Sequence, residues 1–270
     1  MTSPSPVFTR EYGTAGPCVA VLHGGPGAPG YMAPVARGLA DAFRVLEPFQ
    51  RGSGTVPLTV DQHVADLKEL LGRHWPGERP SLVGHSWGAM LALCFAAAHP
   101  EMAGAVVLIG CGTFDAAARR QLQATRNERL GCEVQLRLEQ LSRNCPDPDA
   151  RLREFARVLQ TCDSVDLIDC PDESEPCDAR AAEQTWADML RLQAEGVYPA
   201  AFASIRCPVL MLHGADDPHP GRLILAGLKP HIPHIEFEEL ARCGHYPWLE
   251  RAARDDFDRR LRAWLAQPPG

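Results

Sequence analysis

Ser81-Leu82-Val83-Gly84-His85-Ser86-Trp87-Gly88-Ala89-Met90-Leu91-Ala92-Leu93-Cys94-Phe95-Ala96-Ala97-Ala98 places a short apolar run, a G-x-S-x-G pentapeptide and a continuous run of apolar helix formers in direct succession. The first part reads as the end of a buried strand. The last reads as a buried helix, stopped by Pro100. A serine at so sharp a strand-to-helix turn is forced into a strained backbone conformation, with its hydroxyl above the sheet. The residues two before and two after must then carry almost no side chain. Gly84 and Gly88 meet that demand, so Ser86 is the candidate nucleophile.

Upstream, the apolar run Cys18-Val19-Ala20-Val21-Leu22 leads into His23-Gly24-Gly25-Pro26-Gly27. Glycines after a strand let bare N–H groups approach a ligand. A nucleophilic serine needs such donors to hold the oxyanion formed on attack: one from the residue after it, here Trp87, and one from this loop. Gly24 and Gly25 both qualify. Gly25 is favoured as the oxyanion donor and Gly24 is assigned to substrate binding.

Working outward, strand-like and helix-like segments alternate. Tyr31, Val35, Leu39 and Phe43 recur at helical spacing before the run Arg44-Val45-Leu46. Thr59 and Gln62 form a capping-box pair ahead of the apolar face Val60, Val64, Leu67, Leu71. Ala105-Val106-Val107-Leu108-Ile109 is a further strand. This order predicts an α/β fold with a mostly parallel central sheet and helices on both faces. From 112 to 204 the signal is helical, with Leu152, Phe155 and Leu159, then Trp186, Met189 and Leu190. Strand signal returns at Pro208-Val209-Leu210-Met211-Leu212 and Ile235-Glu236-Phe237, and a helix closes the chain over 255–266. The expected organisation is a core of 1–111 and 205–270 with a helical lid, 112–204, inserted after a strand whose carboxyl end carries the site.

A serine hydroxyl needs a base, and the base an orienting carboxylate. Asp216 and Asp217 follow the strand ending at Leu212. Asp217 is favoured as the acid, and Asp216 is read as a turn former. His245, in Cys243-Gly244-His245 before the last helix, is the candidate base. His219 is set aside as a surface or lid contact, and His23 and His85 as anchors of their loops. This chemistry requires no cofactor and no metal.

Composition narrows the class. The 270 residues, 45% of them hydrophobic, suffice for one well-buried core. No run of about 18 apolar residues exists, and Met1-Thr2-Ser3-Pro4-Ser5-Pro6 lacks a basic segment leading into an apolar one. The expectation is a cytoplasmic protein without a membrane partner. Ten cysteines include no C-x-x-C pair, so most are expected to be small buried hydrophobes. Five cluster in the predicted lid (Cys132, Cys145, Cys162, Cys170, Cys177), with spacing that matches no zinc pattern. The net charge of −7 comes with no basic stripe, which argues against nucleic acid. Between Arg157 and Arg180 stand seven acids and no Lys or Arg. That window reads either as an acidic entrance for an amine-bearing substrate or as a solvated loop.

With these residues in view the chain resembles the α/β-hydrolase superfamily along almost its whole length, and within it the proline iminopeptidase-like serine hydrolases. The narrower likeness rests on His23-Gly24-Gly25-Pro26-Gly27, on Trp87, and on Gln50-Arg51-Gly52-Ser53-Gly54, where Phe49 replaces the group's usual leading aspartate. The resemblance implies an acyl-enzyme hydrolysis of a small-molecule or short peptide substrate, amide or ester. Serine at the elbow sets it apart from the aspartate-nucleophile dehalogenases and epoxide hydrolases. It further implies lid carboxylates that hold a free amine, for which Glu183 and Asp188, beside Trp186 on a predicted lid helix, are the candidates. Carboxylesterase or lactonase activity, carbon–carbon bond hydrolysis and a non-catalytic ligand-binding homologue are the alternatives.

Overall fold

The computed structural model describes residues 7–267, so the opening stretch 1–6 lies outside the described residues. Seven strands form one sheet: β1 (Thr9–Tyr12), β2 (Cys18–Leu22), β3 (Arg44–Pro48), β4 (Ser81–His85), β5 (Ala105–Ile109), β6 (Val209–Gly214) and β7 (Glu236–Leu240). Their order is β1-β3-β2-β4-β5-β6-β7, with β1 antiparallel to β3 and every other pairing parallel. β2, β4, β5 and β6 are apolar and almost wholly buried, as strands covered on both faces must be. The edge strands β1 and β7 are the exceptions, charged and only partly buried. In β1, Arg10 lies over the Phe49 ring, 4.8 Å from its centroid.

β2 has β3 on one side and β4 on the other. The chain therefore reverses its direction of growth between β2 and β4, leaving a crevice at their carboxyl ends. The loop after β2 and the turn after β4 carry His23–Gly25 and Ser86 into that crevice.

Five helices flank the sheet. They are α1 (Ala33–Leu39), α2 (Val60–His74), α3 (Trp87–Ala98), α7 (Gly221–Leu228) and α8 (Arg254–Leu265). Thr59 Oγ1 accepts the Gln62 N–H at 3.1 Å and so starts α2. α3 is apolar all round and buried from Trp87 to Ala96. Each large side chain it removes from water contributes about 1.5–3 kcal/mol. It ends at His99, ahead of Pro100.

Between β5 and β6 lie α4 (Ala116–Asn144, interrupted at Gly131), α5 (Pro148–Cys162) and α6 (Ala179–Ala194), with a 3-10 turn at Ala200–Ser204. The ends of this segment belong to the core. Phe114, Met189, Leu192, Tyr198 and Phe202 pack in the same apolar cluster as α3, and Phe114 stacks edge-on to Phe202. α5 differs: none of its residues is buried. Among the described residues no helix is long and apolar enough to cross a membrane.

Candidate active site

β4 delivers the chain to Ser86, and α3 starts on the next residue. Ser86 has φ 52° and ψ −114°, a left-handed conformation that costs a non-glycine residue about 1–3 kcal/mol. Close approach on both sides imposes it. A Cβ on Gly84 would strike the Gly88 backbone, and one on Gly88 would strike the carbonyls of Leu22 and His23. The Ser86 main chain is committed as well. Its N–H donates to the Ile109 carbonyl at 2.9 Å, and its own carbonyl accepts from Ala89 at 3.1 Å.

The turn after β6 places Asp217 inside and Asp216 outside. Asp216 is exposed, and Arg129 donates to its carbonyl. Asp217 is buried and accepts from His245 Nδ1 at 2.7 Å. Burial pushes the Asp217 carboxyl up, but the surrounding His245, His219 and His213 outweigh it and hold it well below the usual carboxylate range. An ionised Asp217 fixes the tautomer of a neutral His245: Nδ1 carries the hydrogen, and Nε2 is free to accept a proton. Gly110, with φ 51°, lets β5 pass this pair. A side chain there would meet His245 Nδ1 and Asp217 Oδ2.

His245 is held from the helical segment. Its N–H donates to the Asp163 carbonyl at 2.8 Å, and buried Asp163 is paired with Arg126 of α4. Buried Glu250 accepts three backbone N–H groups, from Gly244 at 3.0 Å, Val165 at 2.9 Å and Asp166 at 2.8 Å. It thereby joins the histidine loop to the chain after α5.

On the other side of Ser86, one chain of hydrogen bonds links three loops. His85 Nε2 lies 2.9 Å from the His245 carbonyl, which can only accept, so Nε2 bears the proton. Burial, with His245 adding to it, holds His85 well below its ordinary range, and a neutral ring leaves Nδ1 as an acceptor. Tyr31 Oη, 2.7 Å away, donates to Nδ1 and accepts the Gly24 N–H at 2.6 Å. The Gly24 N–H is thus engaged by Tyr31, whereas Gly25 lines the cavity. Gln50 makes a second bridge. Its amide donates to the His23 carbonyl at 2.9 Å and accepts from Trp87 Nε1 at 2.9 Å. Trp87 N–H opens α3, where no carbonyl one turn earlier is available to it.

Ser86, His85, His245 and Gly25 open into a cavity of 740 Å³ whose far wall comes from the helical segment: Leu152, Phe155, Ala156 and Leu159 of α5, and Glu183 and Trp186 of α6. The apolar face of α5 lines this space instead of packing in the core, hence its lack of buried residues.

Several expectations need correction. His219 is no surface contact. It is buried, donates to Asp217 Oδ1 from its backbone N at 2.8 Å, places Nδ1 2.9 Å from the same oxygen, and stacks on His245. A turn that doubles back within two residues brings it there despite its closeness in sequence. Tyr31 precedes α1 and serves through its hydroxyl, not as an apolar helical residue. Asp188 does not line the cavity. It accepts the Val60 N–H at 2.8 Å, tying α6 to the start of α2, and pairs with Arg191.

Most acids of the window between Arg157 and Arg180 have partners within the chain, while Asp169 is exposed. Asp163 pairs with Arg126, Asp166 with Arg251, Asp172 with Arg157, Glu173 with Arg37 and Glu175 with Arg10. Asp178 caps α6 and accepts the Ser53 N–H at 2.6 Å. Of the acids lining the cavity, Glu183 alone has no ion-pair partner among the described residues. The nine cysteines whose side chains are described are free, and the Cys132 side chain lies outside the described part.

A family model described as "Alpha/beta hydrolase family" matches residues 19–255. The chain belongs to that family. It is 26% identical to the proline iminopeptidase of Lactobacillus crispatus over 92% of this chain and 89% of the relative. It is 23% identical to the cis-3-alkyl-4-alkyloxetan-2-one decarboxylase of Shewanella oneidensis, over 84% of this chain and 76% of that one. A solved carboxylesterase of Nitrososphaera gargenis superposes with a TM-score of 0.65 at 18% identity, covering 98% of this chain and 97% of the other, a likeness of fold. The relatives thus act on different bonds, which leaves the substrate to the residues of the cavity.

Proposed function

We propose that this α/β hydrolase is a cytoplasmic serine hydrolase of small-molecule amides or esters, with an aminopeptidase-like preference for a substrate bearing a free amine. The observation that carries the reading is the strained Ser86 opening into the same cavity as His245, whose Nδ1 is bonded to buried, ionised Asp217. Ser86 Oγ attacks the carbonyl carbon while His245 Nε2 takes the hydroxyl proton, and Asp217 stabilises the imidazolium. The Trp87 and Gly25 N–H groups hold the oxyanion. His245 then protonates the departing amine or alcohol, leaving the acyl group on Ser86. Water, deprotonated by the same nitrogen, releases the acid.

In this reading 112–204 is the lid over a core of 1–111 and 205–270. Nine unpaired cysteines support a reducing compartment. Glu183 supports the amine preference as the cavity carboxylate without an ion-pair partner among the described residues, and Trp186 beside it supplies an apolar wall. Glu183 is exposed, and a solvent-screened ion pair contributes about 0.2–1 kcal/mol. A free-amine aminoacyl anilide should therefore be cleaved roughly two to five times better, in kcat/KM, than its N-acetyl analogue, and Glu183→Gln should remove most of the difference. The apolar α5 wall favours the second reading, a carboxylesterase or lactonase. Equal rates on the two anilides, or reaction with aryl esters alone, would select it.

A further inference from the structure

Asp217 holds more than His245. A carboxylate has two oxygens and can rotate about its Cβ–Cγ bond, so one hydrogen bond to an imidazole does not fix its plane. Here Oδ2 meets His245 Nδ1 at 2.7 Å, and both donors to Oδ1 belong to His219: the backbone N–H at 2.8 Å and Nδ1 at 2.9 Å. The His219 and His245 rings lie face to face, 4.2 Å between centroids and 12° between planes. His219 is itself anchored by His213, whose Nε2 is 2.9 Å from the His219 carbonyl and 3.4 Å from Asp217 Oδ2. One side chain thus touches both partners of the Asp217–His245 pair, on the faces they do not offer each other.

We propose that His219 is a positioning residue for His245: it pins the rotation of the Asp217 carboxylate through Oδ1 and fixes the plane of the His245 ring by stacking on it. This rests on the serine hydrolase reading above. The ring suits the task because it stays uncharged at neutral pH. Burial, helped by His245, lowers His219 to about 4 despite the neighbouring Asp217. An imidazolium formed on His245 during the reaction therefore faces a neutral plate instead of a second cation. The other groups against His245 are the His85 ring, 4.5 Å between centroids, and Tyr246 at 5.1 Å. Arg126, paired with Asp163, also acts on His219, and His213 completes the set. Burial holds His85 well below its ordinary range and raises the Tyr246 hydroxyl, so neither changes charge between pH 5 and 8.

Removing the His219 ring has two effects of the same sign on His245. One donor fewer concentrates the charge on Asp217, and the vacated face admits water. Both favour the protonated imidazole. The test is the pH profile of p-nitrophenyl acetate hydrolysis by the wild-type protein, His219→Ala and His219→Asn. The asparagine can return a donor to Oδ1 without the stacked ring. His219→Ala should lose roughly 10- to 100-fold in kcat with KM within about threefold, and the acid limb of kcat/KM should move up by about half to one pH unit. His219→Asn should recover most of the limb's position.

A folded His219→Ala with a superimposable profile and kcat within about threefold of wild type would overturn the inference. So would an equal loss in both variants without any shift of the limb, the mark of packing alone. Should the alanine variant not fold, His219→Asn against wild type carries the test: a lowered kcat with an acid limb measurably raised, by less than half a unit, supports the role, and an unchanged kcat or an unmoved limb overturns it. If the wild-type protein neither hydrolyses the ester nor reacts with a fluorophosphonate, the serine hydrolase reading itself fails. If it does both and the variants match it, only the role of His219 falls.

Discussion

At the scale of single residues, Ser86 is held in an unfavourable conformation by the absence of side chains at Gly84 and Gly88, and the buried Asp217 carboxylate is kept ionised by the three histidines around it. Asp216 and Asp217 are neighbours in sequence with opposite fates. One faces solvent, and the other is bonded to His245 and His219. Asp217→Asn keeps the size but offers an N–H or a weaker acceptor to His245 Nδ1, favouring the wrong tautomer. It should lower kcat by several orders of magnitude. Asp216→Asn should cost less than about tenfold. Steady-state rates on one ester substrate check both, and the reverse ranking would move the carboxylate role to Asp216.

At the scale of elements, the site depends on straps between loops far apart in sequence. Asp178 is one of them: its carboxylate caps α6 and accepts the Ser53 N–H, while its backbone N–H donates to the Gly27 carbonyl at 2.7 Å. Asp178→Ala removes both carboxylate bonds and should cost about 1–2 kcal/mol, read as a lower urea midpoint with an unchanged slope. The sequence made the strongly patterned elements legible. The apolar strands, the capping box before α2 and the apolar α3 all announce themselves locally. β1 does not, since Thr9-Arg10-Glu11-Tyr12 has no apolar run and pairs only as a polar edge strand. Short α7 left no periodic signal long enough to read. The same limit applies within the site. The G-x-S-x-G and glycine-loop residues carry spacing, whereas the roles of Tyr31, Gln50, His219 and Glu250 come from partners 7 to 85 residues away, or from a turn whose geometry spacing does not encode.

For the whole molecule, buried titratable groups give opposing pH dependences of stability. His63 and His219 are each lowered to about 4, chiefly by burial. Unfolded imidazoles take up protons near pH 6.5 and these two do not, so their contribution is present above 6.5 and lost as pH falls towards 4. Burial raises Glu47 to about 7, against the pull of Tyr12 and Arg10. Between about 4.5 and 7 the native carboxyl is protonated and the unfolded one ionised, so its contribution is present at low pH and lost as pH rises through 7. Glu47→Gln keeps a partner for the Tyr12 hydroxyl. It should raise the urea midpoint relative to wild type at pH 8, with the gain shrinking by pH 5. A gain that is larger at pH 5 would contradict this assignment.

Every step of the proposed hydrolysis requires Ser86 to be an activated nucleophile. Incubating the wild-type protein and Ser86→Ala with a fluorophosphonate, then mapping the adduct by peptide mass spectrometry, tests this most directly. One adduct per chain is expected, on Ser86, with activity lost in proportion, and no adduct on a folded Ser86→Ala. A wild-type protein that stays unlabelled, or one labelled equally with and without the Ser86 hydroxyl, would contradict it.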